Sequence, residues 1–65
     1  EFWYRQHPDT QPEFILRIFS SGAEYKADFA KIRFAVKLQT ATKLTSLTIS
    51  GLQLTDSAVY YCADP

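Results

Sequence analysis

The seven-residue run Asp56-Ser57-Ala58-Val59-Tyr60-Tyr61-Cys62 is the most informative feature of the chain. Alternation along an extended chain puts Ala58, Tyr60 and Cys62 on one face, with Val59, Tyr61 and Ala63 on the other. Both faces are apolar or aromatic, so this strand expects cover on both sides. A second strand of the same character stands at the far end of the chain, in Phe2-Trp3-Tyr4-Arg5-Gln6.

Between these two strands the period-two pattern continues. His7-Pro8-Asp9-Thr10-Gln11-Pro12 carries two prolines and an aspartate and reads as a turn. Phe14 to Phe19 is the next apolar run, interrupted by Arg17, and Ser20-Ser21-Gly22 marks a tight loop. Glu24 to Asp28 reads as a short edge strand. A helix over Ala23 to Ala35 competes with it locally, because Ala, Glu and Lys favour helix. Arg33 to Leu38 alternates with Phe34, Val36 and Leu38 on one face, and Gln39 to Thr42 is a turn. Thr45, Leu47 and Ile49 then alternate against Ser46, Thr48 and Ser50. Ser50-Gly51 ends that strand, and Leu52 is expected to drop into the core. Short strands with turn signals at this spacing predict an all-β sandwich.

Sixty-five residues allow one small domain. A chain of this size is marginal without staples. Seven basic and seven acidic residues cancel, which argues against nucleic acid or an anionic membrane as partner. The single cysteine forms no internal disulfide, and an odd cysteine points to a missing partner or a free thiol. The sequence contains no membrane-length apolar run, no opening signal peptide and no asparagine for N-glycosylation.

Trp3 in Trp3-Tyr4-Arg5-Gln6, together with Tyr60-Tyr61-Cys62 downstream, resembles strands C and F of an immunoglobulin variable domain. The resemblance covers essentially residues 1–65. It implies a V-type β-sandwich represented by strands C, C′, C″, D, E and F, without strands A, B and G. In that frame Trp3 is the core tryptophan and Tyr60 the tyrosine of the corner between strands E and F. Cys62 is half of the inter-sheet disulfide, with its partner absent from the chain. Arg33 and Asp56 match the arginine–aspartate pair that closes the lower end of the sandwich, and Arg5 can approach the same carboxylate. Tyr4, Gln6, Pro12, Phe14 and Tyr61 match the face through which variable domains pair, with Gln6 at the place of the dyad glutamine.

The motifs Trp3-Tyr4-Arg5-Gln6, Phe14-Ile15-Leu16-Arg17-Ile18 and Leu47 to Asp56 look most like T-cell receptor alpha or delta chains. Heavy chains usually carry an aliphatic residue at the place of Tyr4, and kappa chains glutamine at the place of Arg5. Beta chains share the first motif. The resemblance implies an antigen-binding variable segment, cut at both ends, with no enzymatic activity and no cofactor. By position, Ile18, Phe19, Ser20, Ser21 and Gly22 correspond to the second hypervariable loop, and Ala63, Asp64 and Pro65 begin the third. The partners implied are a beta or gamma chain variable domain, a peptide–MHC or related ligand, and receptor signalling subunits. The location implied is the extracellular face of the plasma membrane, without direct membrane contact by this segment. A variable-type innate or adhesion receptor, or another antigen-receptor chain, is the alternative.

Chemistry is weakly provided for. A Cys62–His7 pair lacks an orienting asparagine, and Cys62 stands in a strand rather than at a helix N-terminus. One histidine and one cysteine are too few for a metal site.

Overall fold

The structure, a computed structural model, describes residues 1–64. Six strands form: β1 (Phe2–Gln6), β2 (Glu13–Ile18), β3 (Glu24–Lys26), β4 (Phe34–Gln39), β5 (Leu44–Ile49) and β6 (Val59–Ala63). They make two antiparallel sheets, one of four strands in the order β3-β2-β1-β6 and one of two, β4-β5. The chain is all-β, apart from single 3₁₀ turns at Asp28–Ala30 and Leu54–Asp56. Helix propensity over Ala23 to Ala35 yields only the first of these, since neighbouring strands supply the packing that an isolated helix lacks.

The sheets meet over a small core of Ile15, Leu16, Ala30 and Phe34, with Trp3, Val36, Leu47, Ile49 and Tyr60 partly buried around it. A bulge shapes this core. Trp3 pairs with Leu16 but Tyr4 pairs with Phe14, so Ile15 is the extra residue on β2. A bulge interrupts simple alternation. Ile15 and Leu16 both end fully buried, while Phe14 and Arg17 are only partly buried.

Turn chemistry sets the connections. Asp9 and Lys43 adopt positive φ (59° and 57°), and Gly22 takes φ 93°. At Gly22 a Cβ would meet nothing, so its backbone conformation alone favours glycine. Lys26 Nζ donates to the Phe34 carbonyl at 2.6 Å and ties β3 to β4.

Two expectations need correction. Leu52 is 76% exposed rather than in the core. Arg33 Nη1 donates to Ser50 O and Gly51 O (3.1 and 3.3 Å), so a guanidinium closes that end of the sandwich instead. The strand β6 does not receive cover on both faces: Val59, Tyr61, Cys62 and Ala63 are exposed, and only Tyr60 is partly buried.

Candidate protein-binding face

The four-stranded sheet turns one face to the core and leaves the other open. Register places Phe2, Tyr4 and Gln6 of β1 beside Ala63, Tyr61 and Val59 of β6 on the outer face. Across β2 the same face continues through Phe14 and Arg17 to Tyr25 of β3. The aromatic rings form a connected row. Phe2 stacks near Tyr4 (6.3 Å between centroids), Tyr4 meets Phe14 edge-on (5.9 Å), and Phe14 contacts Tyr25 (6.2 Å).

Tyr25 and Tyr61 are 66% and 46% exposed. The Tyr61 hydroxyl stands 3.5 Å from Gln6 Oε1, at the long limit of a hydrogen bond. Gln6 Nε2 donates to Thr10 O at 2.9 Å, which leaves its second N–H available. Pro12 precedes β2 and is exposed, at the margin of this face rather than on a strand. Contiguous aromatic surface of this kind marks a protein contact more often than a small-molecule site.

Beyond β2 the chain turns tightly. Phe19 N–H donates to Ala23 O and Gly22 N–H to Phe19 O, both at 2.8 Å. Phe19, Ser20, Ser21 and Gly22 are exposed at this turn, and Ala63 and Asp64 are exposed at the end of β6. Ile18 departs from its expected place in the loop: it is the last residue of β2 and only 3% exposed. Its side chain is committed to packing, so the exposed loop begins at Phe19. Pro65 lies outside the described residues.

A charge cluster closes the opposite end. Arg33 Nη1 and Nη2 donate to Asp56 Oδ2 and Oδ1, each at 2.8 Å, a two-pronged geometry that fits guanidinium to carboxylate. Asp56 is 4% exposed and also accepts from Gln53 N–H at 2.8 Å. Arg5 Nη1 lies 3.8 Å from Asp56, while its Nε donates to Glu13 Oε1 at 2.8 Å and its guanidinium sits 4.1 Å from the Phe29 ring. The Arg33 side chain, followed by the Gln53 amide, lowers the Asp56 carboxyl from its ordinary value to about 2. The Tyr60 hydroxyl donates to Asp56 O at 2.6 Å, locking β6 to the preceding turn.

Trp3 and Cys62 are cross-strand partners on the inner face, and Cys62 is an exposed free thiol. His7 lies past Gln6, which pairs with Val59, so the register keeps it away from Cys62. Its Nε2 donates instead to Thr55 O at 2.9 Å. The bulge, the outward Arg17 and the reach of the aromatic row to Tyr25 were not legible from alternation alone.

The immunoglobulin V-set domain model matches residues 2–65. The chain belongs to the immunoglobulin V-set family. Within a V-set domain, the four-stranded sheet corresponds to strands C″, C′, C and F, and the smaller sheet to D and E. Over 62 residues, 95% of the chain, it is 44% identical to the mouse (Mus musculus) immunoglobulin omega chain and 42% identical to the mouse immunoglobulin iota chain. Over the same share it is 40% identical to the human (Homo sapiens) T cell receptor alpha variable 38-1. It spans 44%, 44% and 51% of those relatives, about half their length. V-set domains of antigen receptors bind rather than catalyse, and they pair with a second variable domain.

Proposed function

We propose that this V-set chain is the antigen-recognition segment of a T-cell receptor alpha or delta chain. It pairs with a beta or gamma chain variable domain and binds a peptide–MHC-type ligand at the extracellular face of the plasma membrane. The observation that carries this is the open aromatic face of Tyr4, Phe14, Tyr25 and Tyr61, flanked by the exposed Phe19–Gly22 turn. The first surface suits a broad protein partner; the second supplies a short polar loop that tolerates variation without disturbing the core. In this reading Cys62 forms a disulfide with a strand B cysteine, and Gln6 sets register across the pseudo-dyad.

Similar identity to mouse immunoglobulin chains favours a second reading, a variable-type chain of the immunoglobulin class. Co-expression separates the two. Pairing with beta or gamma chain variable domains in preference to heavy-chain variable domains supports the receptor reading, and the reverse preference supports the other. Genomic sequence after Pro65 gives an independent test: a recombination signal supports a rearranging receptor segment, whereas an exon running directly into strand G supports an innate or adhesion receptor.

A further inference from the structure

Arg17 stands apart from the other partly buried cations. Arg5, Lys26 and Arg33 each have a carboxylate within salt-bridge distance, but Arg17 has none among the described residues. Its guanidinium carbon lies 4.6 Å from the Phe2 ring centre and 4.2 Å from that of Phe19. Its Nε is buried and has no hydrogen-bond partner. The bulge at Ile15 brings Arg17 to the outer face, level with Phe2 and Tyr25. The residues paired beside it on the outer face, Phe2 and Tyr25, are uncharged, and Glu1 and Asp64, which line the same cleft, make no ion pair with it among the described residues.

We propose that Arg17 is a specificity-determining residue of the pairing face, and that the variable domain covering it presents a carboxylate there. This rests on the pairing reading above. Two rings hold the guanidinium plane, so little side-chain freedom remains to be lost when a partner arrives. Covering the face strips water from the cation, and an unpaired cation in a drying interface is strongly unfavourable. A carboxylate restores the balance, because its two oxygens match the arginine fork. A partner with only apolar groups at that place is selected against. Arg17 lies on β2 rather than in the Phe19–Gly22 turn, and this continuity with Phe14 favours a partner domain over antigen as the source of the acid.

The test uses the full chain co-expressed on cells with a panel of T-cell receptor beta variable domains, scoring pairing and its salt dependence. Arg17→Gln is expected to weaken pairing by roughly tenfold or more and to flatten the salt dependence. Arg17→Glu is expected to regain pairing when one acidic residue of the partner's face is changed to lysine. The reversed pair also guards against misfolding, since restored pairing shows that the Arg17→Glu chain folds. If Arg17→Gln pairs as the unmodified chain does while Phe14→Asp abolishes pairing, this proposal fails and the pairing face stands. Normal pairing of Arg17→Gln with loss of ligand binding also overturns it, assigning the carboxylate to antigen. If the unmodified chain pairs with no domain of the panel, or Phe14→Asp pairs equally well, both readings fall.

Discussion

Arg33 and Asp56 are joined fork to fork by two hydrogen bonds of 2.8 Å, across 23 residues of sequence. The carboxylate is nearly inaccessible, and its other strong contact is a main-chain N–H. Removing it leaves Arg33 facing an enclosed site without its counter-charge. In a completed V-set domain carrying residues 1–65, Asp56→Ala is expected to lower Tm by roughly ten degrees or more. Glu24→Ala is expected to change it by about a degree or two, because Glu24 is exposed and meets Lys26 only at 3.8 Å. Equal shifts on thermal denaturation would show that the Arg33–Asp56 pair contributes no more than a solvated one.

Acid should expose the same pair. The Asp56 carboxyl is lowered from 3.8 to about 2 in the folded chain, so the unfolded chain takes up its proton first as pH falls. The resulting stability is present above the unfolded value and is lost between about pH 4 and pH 2. Asp56→Asn is expected to be less stable at neutral pH and to lack this component of the acid transition. An unchanged acid profile in Asp56→Asn would assign the transition to other carboxylates.

The hydroxyl of Tyr60 offers a smaller and cleaner deletion. Tyr60→Phe keeps the ring in the core and removes only the 2.6 Å bond to Asp56 O. A loss of about 1–2 kcal/mol is expected from denaturant unfolding, with the m-value unchanged. A neutral result would mean that water replaces the hydroxyl at no cost.

The inner faces of the two sheets are incompletely covered in residues 1–64. Trp3, Val36, Leu47, Ile49 and Tyr60 are only partly buried, and Cys62 is exposed. Apolar burial contributes about 25 cal/mol per Å² against an ordering cost of about 1–2 kcal/mol per residue, so this core is too small to fold alone. A peptide of residues 1–65 is therefore expected to aggregate or remain largely unfolded, with a readily alkylated thiol. A cooperative thermal transition in a dilute monomer would contradict this.

Strand identity was legible because the chain alternates cleanly where one face is buried. Phe34, Val36 and Leu38 face inward from β4, and Thr45, Leu47 and Ile49 from β5, as period two requires. On β2 the same rule misleads. It puts Ile15 and Arg17 on one face, whereas the bulge buries Ile15 and turns Arg17 outward. A single extra residue reverses the sense of alternation beyond it, and nothing in Phe14-Ile15-Leu16-Arg17-Ile18 announces where it falls. Leu52 misleads for another reason: hydrophobicity signals a wish for cover, but the neighbouring Arg33 already bonds the turn carbonyls. Ile18 shows the limit of placing loops by resemblance, since the last strand residue packs inward while its neighbour starts the turn.

In the proposed reading, the aromatic face of β1, β2, β3 and β6 pairs with a second variable domain while the Phe19–Gly22 turn serves recognition. Hot spots gather in buried aromatic residues, so Phe14→Ala and Tyr61→Ala are each expected to weaken association by about 1–3 kcal/mol. The most direct measurement takes Phe14→Asp and Ser21→Asp in the full chain and scores pairing and ligand binding on the same cells. Phe14→Asp is expected to abolish pairing, and Ser21→Asp to leave pairing intact while altering ligand binding. Normal pairing by Phe14→Asp together with lost pairing by Ser21→Asp would contradict it, and would exchange the roles of the two surfaces.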